Sequence, residues 1–128
     1  MFVGLMEVLV QVQKKPVNCH LWRADVLRPQ DLREALATVE QYVNESHFGQ
    51  CLLKCNECSQ LYFFAFYEKV DWDDGDDAQY WTYVPVDTIG EVEQFRSLGP
   101  LGLLAVVPRL QKDFPKGATE PKVYWVGK

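Results

Sequence analysis

The chain has 128 residues, 48% of them apolar and 13% aromatic, which suits one domain with a buried core and sets it apart from disordered segments. Its 13 Lys and Arg face 18 Asp and Glu, a formal net charge of −5, and an acidic chain without a basic cluster argues against nucleic acid as a direct ligand. All of that net charge comes from Glu68 to Asp77, which holds six acids and one lysine, while the remainder sums to zero.

In chain order, Phe2, Met6, Val8, Val10 and Val12 alternate with Glu7, Gln11 and Gln13, the period of a half-buried strand, which Lys14, Lys15 and Pro16 end. No basic residue precedes the apolar opening and Glu7 interrupts it, unlike a signal peptide. No apolar run approaches the roughly 18 residues of a membrane span, so a soluble, cytoplasmic protein is expected. Pro29 suits a first helical position, and Leu32, Ala35, Leu36, Val39, Tyr42 and Val43 recur on one helix face, predicting one long helix from Pro29 to Asn44.

The period then becomes two in Leu61 to Tyr67 and again in Tyr80 to Val84, on either side of Asp74 and Gly75. Asp-Gly favours a two-residue type I′ turn, which predicts a β-hairpin pairing Asp73 with Asp76, Asp71 with Ala78, Lys69 with Tyr80 and Tyr67 with Thr82. Such a tip would set like charges opposite one another, a modest cost that the aromatic base can offset. Thr88 and Glu91 have capping-box spacing, and Ile89, Val92, Phe95 and Leu98 mark a short second helix closed by Gly99 and Pro100. Strands are expected at Leu103 to Val107 and Val123 to Val126, with a loop or edge at Lys112 to Gly117. The fold class is therefore α+β: a single domain over residues 1–128, with a largely antiparallel sheet packed against one long helix and a shorter one.

Two features carry the functional reading. Cys55, Asn56, Glu57 and Cys58 form a C-x2-C before a strand, the layout of a zinc knuckle whose two thiolates share a tetrahedral ion. That is half a site, and His47 or Cys19 is the candidate to extend it. Cys19 and His20 point to opposite faces if they lie on a strand, so at most one would coordinate. Cys51 lies about 13 Å from Cys55 if the intervening residues are extended. The simpler reading is that the cysteines are reduced, small apolar residues and that there is no cofactor; zinc is the one exception the sequence admits. A redox role is less suited, because that motif usually opens a helix, where the helix end lowers the thiol pKa.

The second feature is the acidic stretch. With its glycine at Gly75, a calcium loop of the EF-hand type would begin at Val70 and place Trp72 and Asp74 at its third and fifth positions, so the pattern fails. Phosphate-cradling, dinucleotide, nucleophile-elbow and metalloprotease motifs are absent, and carboxylates at a convex tip are poorly placed for catalysis, so no enzyme and no catalytic residues are expected. Asp71, Trp72, Asp73, Asp74, Asp76 and Asp77 instead read as a contact surface for a basic protein partner, with Trp72 as its anchor.

In size, α+β pattern, acidity and the hairpin from Glu68 to Asp77, the chain resembles the small acidic immunity proteins with which bacteria neutralise toxins of contact-dependent and secreted competition systems. It is also similar to short bacterial proteins that carry a C-x2-C before an aromatic strand, as in Cys55 to Phe66. The first resemblance implies a protein-binding inhibitor that neutralises a basic toxin, such as a nuclease or nucleotide-using enzyme. The alternative is a zinc-knuckle-stabilised regulatory or adaptor domain.

Overall fold

The structure is a computed structural model and describes residues 11–128 apart from Asp71, Asp74, Asp76 and Pro100. The chain order is β1 (Gln11–Val12), α1 (His20–Arg23), α2 (Pro29–Ala35), β2 (Leu36–Asn44), β3 (Phe48–Cys55), β4 (Leu61–Lys69) and β5 (Ala78–Val86). There follow α3 (Ile89–Arg96), a 3₁₀ turn (Gly102–Ala105), β6 (Val106–Val107), β7 (Arg109–Phe114) and β8 (Lys122–Val126). Six strands form one antiparallel sheet in the order β2-β3-β4-β5-β7-β8, and β1 pairs in parallel with β6 beside it. The strand expected over the first dozen residues is seen as Gln11–Val12; its earlier part lies outside the described residues.

The long helix expected from Pro29 to Asn44 is not formed. Helix α2 stops at Ala35, and residues 36–44 become the edge strand β2. The start was well signalled: Pro29 occupies the first turn and the Asp31 carboxylate accepts the Arg28 N–H at 2.8 Å. Beyond Ala35 the spacing suits a helix, but Thr38, Val39 and Val43 are β-branched and suit a strand equally well. Sheet pairing decides it, with Leu36 opposite Cys55 and the Asn56 N–H donating to the Ala35 carbonyl at 2.8 Å. Two register shifts bend β2, and its residues are mostly exposed, features that guard an edge against further strand pairing.

The hairpin of β4 and β5 exists with its faces as expected but with a different register. Lys69 pairs with Ala78 and Tyr67 with Tyr80, so residues 70–77 form an eight-residue connection in place of a two-residue turn. Gly75 has φ +70, so the glycine supplies a left-handed residue within that longer loop. The shift has a physical reason. It aligns Phe64 with Tyr83, Phe66 with Trp81 and Tyr67 with Tyr80, whose ring centroids lie 5.0, 5.3 and 6.4 Å apart. The two-residue turn would instead have set Asp73 opposite Asp76, a like-charge pair that repels.

Both faces of the sheet are partly covered. On one, Leu21 of α1 and Leu32 and Ala35 of α2 pack with Cys51, Leu53, Tyr62, Tyr83 and Leu110. On the other, Val92 and Phe95 of α3 join Leu103 and Val106 against Leu52, Phe63 and Val84. The short helix forms as its caps required: the Thr88 hydroxyl accepts from the Glu91 N–H, and Glu91 accepts the Thr88 N–H in return. Residues 112–114, expected in a loop or edge, belong to β7, which is interior between β5 and β8. The strand expected at Leu103 to Val107 is a 3₁₀ turn followed by two strand residues. No helix among the described residues is long and apolar enough to cross a membrane.

Candidate metal centre

The C-x2-C turn closes the hairpin between β3 and β4. Cys55 is the last residue of β3; its N–H donates to the Gln60 carbonyl at 2.9 Å, and the Ser59 N–H donates to the Cys55 carbonyl at 3.0 Å. Ser59, directly after Cys58, has φ 67, the left-handed value that lets the chain fold back so tightly. The Cys55 thiol is consequently wrapped by its own turn. Burial would raise its pKa, but the N–H groups of Cys58 and Glu57 and the thiols of Cys58 and Cys19 all donate to it, and the net shift is downward.

The other half comes from α1. The Cys19 N–H donates to the Pro16 carbonyl at 2.9 Å, and Cys19 caps the helix that His20 opens. Because this segment is a helical turn and not a strand, the condition under which Cys19 and His20 would point to opposite faces does not apply. The turn is held against the sheet by the Trp125 indole N–H, which donates to the Leu21 carbonyl at 2.9 Å, and by an edge-to-face contact between Trp22 and Trp125 at 4.9 Å. The Lys128 ammonium donates to the Trp22 carbonyl.

Together these elements bring one ligand atom each from Cys19, His20 and Cys55 to within 4.8 Å of one another. Cys55 Sγ lies 3.8 Å from His20 Nδ1. A tetrahedral zinc ion with sulfur and nitrogen donors holds them roughly 3.6 to 3.8 Å apart, which the Cys55 to His20 distance matches. The mutual set does not include Cys58, which is exposed at the outer end of the turn, but its thiol is within hydrogen-bonding reach of both Cys55 and Cys19.

Outer contacts complete the picture. The Tyr62 hydroxyl, fully buried on β4, donates to Cys19 Sγ at 3.1 Å. His20 Nε2, the nitrogen turned away from the cysteines, lies 3.3 Å from a Glu57 carboxylate oxygen. Hydrogen bonds to thiolate sulfur and a carboxylate on the far nitrogen of a histidine are the usual supports of a metal ligand set. Burial pushes the Cys19 thiol up to about 12 in the metal-free chain, despite the Tyr62 donor. A cation among the three donors would reverse that balance, since its charge favours the thiolate.

The remaining candidates lie elsewhere. His47 sits at the far end of β3, with Nδ1 2.6 Å from a Glu68 carboxylate oxygen, and cannot extend the cysteine site. Cys51 is buried against Tyr62 and Tyr83 in mid-strand, as the extended geometry required. Of the acidic contact surface, Trp72 is 89% exposed, Asp73 is exposed and Asp77 half-buried; Asp71, Asp74 and Asp76 lie outside the described residues. Sequence reasoning weighed His20 only as an alternative to Cys19 and missed Glu57, although the glutamate inside the C-x2-C was in plain view. No protein-family model, curated protein or solved structure matches this chain.

Proposed function

We propose that this chain is a zinc-knuckle-stabilised adaptor domain, in which Cys19, His20, Cys55 and Cys58 hold one ion that ties the α1 arm to the hairpin of β3 and β4. The convergence of Cys19, His20 and Cys55 within 4.8 Å carries this reading. The outer contacts of Tyr62 and Glu57 support it. The role is structural: two chain segments more than thirty residues apart are joined at one point, as closed four-ligand zinc sites do. No catalytic role is assigned. Clustered thiols also suit a reducing compartment such as the cytoplasm.

Metal analysis of protein purified without chelator tests the reading. About one equivalent of zinc is expected, falling on Cys58→Ser together with thermal stability; under roughly a tenth of an equivalent would sink it.

A second reading draws on Trp72, a large aromatic that is 89% exposed within an acidic loop. Such a residue suits the anchor of a protein interface, and the surrounding acids suit a basic partner, including a toxin of the kind that immunity proteins neutralise. This reading expects Asp73, Asp74, Asp76 and Asp77, all changed to Asn, to slow association with that partner at low salt. Capture that is unaltered at both low and high salt would refute it. The two readings are compatible, the first describing how the domain is held and the second what it presents.

A further inference from the structure

A cavity lies on the opposite face of the sheet from the α1 arm, where the cover supplied by α3 and the 3₁₀ turn ends. Its volume is about 520 Å³, within the range of roughly 300 to 1,000 Å³ usual for small-molecule sites. Register explains why a depression forms there. Ala65, Thr82 and Gln111 are opposite one another on β4, β5 and β7 and make a low floor. The next row along the strands rises as the stacked pair Tyr67 and Tyr80, and Leu101 and Leu104 of the turn segment form the facing wall.

The floor is polar yet closed. Thr82 and Gln111 are 5% and 2% exposed; the Thr82 hydroxyl donates to the Gln111 side-chain oxygen at 3.1 Å, and the Gln111 amide donates to Asp113 at 2.9 Å. The Tyr124 hydroxyl donates to the other Asp113 oxygen. Asp113 spends acceptor capacity on its neighbours, and Arg109 likewise donates from Nε to the Gln111 side-chain oxygen and from Nη1 to the Leu104 and Val106 carbonyls. These are all neutral partners, so with Lys69 the lining keeps two cations against one carboxylate, in a chain of net charge −5. Leu101 and Leu104 are 70% and 48% exposed, so the wall offers apolar surface. Aromatic and aliphatic walls with a locally positive lining select a flat apolar body that bears a negative charge.

We propose that this cavity is a binding site for a small aromatic carboxylate, seated over Ala65 and Thr82 between the tyrosine pair and the leucine wall. The site is independent of the metal centre, which lies on the other face.

The test uses the full, zinc-loaded chain titrated with 2-naphthoate and, separately, with 2-naphthamidine, which has the same rings and the opposite charge, followed by amide NMR shifts. Saturable shifts at Thr82, Gln111 and Tyr124, with a dissociation constant below about 1 mM and at least tenfold weaker binding of the amidine, are expected. Leu104→Asp, at a half-exposed position, and Lys69→Glu, at an exposed strand end, should each weaken naphthoate binding by roughly tenfold while the spectrum stays dispersed. No saturable shift up to about 5 mM, equal binding of the two probes, or shifts confined to other residues would overturn the proposal.

Discussion

The Tyr62 hydroxyl donates a hydrogen bond to Cys19 Sγ at 3.1 Å, linking the fully buried centre of β4 to the first residue of the candidate metal set. Burial, followed by this contact with Cys19, pushes the phenol far above its ordinary pKa, so it stays protonated and remains a donor. A donor aimed at sulfur supports the thiolate form that a metal requires. Tyr62→Phe keeps the ring and its packing and removes only the hydroxyl. It is expected to lower zinc affinity about 10- to 100-fold, read by competition with a chelator, while the apo and loaded folds persist. Unchanged affinity would mean that Cys19 is not a ligand or that the contact does not support it.

The two kinds of cysteine should separate cleanly. Cys51 is buried in mid-strand, and burial raises its thiol pKa to about 11. Cys51→Ala is expected to leave zinc stoichiometry alone and to cost about 1 kcal/mol in denaturant unfolding, the small cavity of one lost sulfur. Cys55→Ser is expected to abolish binding. If zinc content fell equally in both variants, the assignment of ligands would be wrong.

Ser59 is the only non-glycine residue with positive φ among the described residues, and it stands at the point where the C-x2-C turn folds back. A side chain in that region costs about 1 to 2 kcal/mol, partly offset by the flexibility glycine adds to the unfolded chain. Ser59→Gly should therefore stabilise the zinc-loaded domain by about 0.5 to 1 kcal/mol, and Ser59→Val should destabilise it by more. Thermal unfolding at fixed zinc concentration reads both.

Glu91 connects α3 to the strand that precedes it and to the start of the chain. One carboxylate oxygen accepts from the N–H groups of Asp87 and Thr88 at 2.7 and 3.0 Å, and the other accepts from the Gln13 amide. Burial alone would raise its pKa, but these donors win and hold it below the ordinary glutamate value of 4.5. A folded pKa below the unfolded one stabilises the fold above the unfolded value, and that contribution disappears as pH falls through the folded value. The stability advantage over Glu91→Gln should thus be flat from pH 7 to about 5, shrink below about 4.5 and vanish at lower pH. At neutral pH, Thr88→Ala should cost about 1 kcal/mol. An advantage that grew on acidification would contradict this sign.

Local chemistry reads directly from the chain where a signal has one physical meaning. Thr88 and Glu91 have the spacing of a capping box, and that helix formed. The alternating aromatics around Asp74 and Gly75 required a hairpin with defined faces, and those faces are observed, because a shift of two residues preserves them. Cys55 and Cys58 announced a tight turn with paired thiols. The rest depended on contacts distant in sequence. Residues 36–44 carry helical spacing and β-branched side chains together, and the hydrogen bonds offered by β3 settled them as a strand. The hairpin register followed from aromatic stacking summed over three cross-strand pairs, which outweighed the preference of a single Asp-Gly. His20 and Glu57 have no spacing that marks them. They meet only because Trp125 anchors the α1 turn and Ala35 joins the end of the hairpin, so the assembly of the candidate site belongs to the fold and its ingredients belong to the chain.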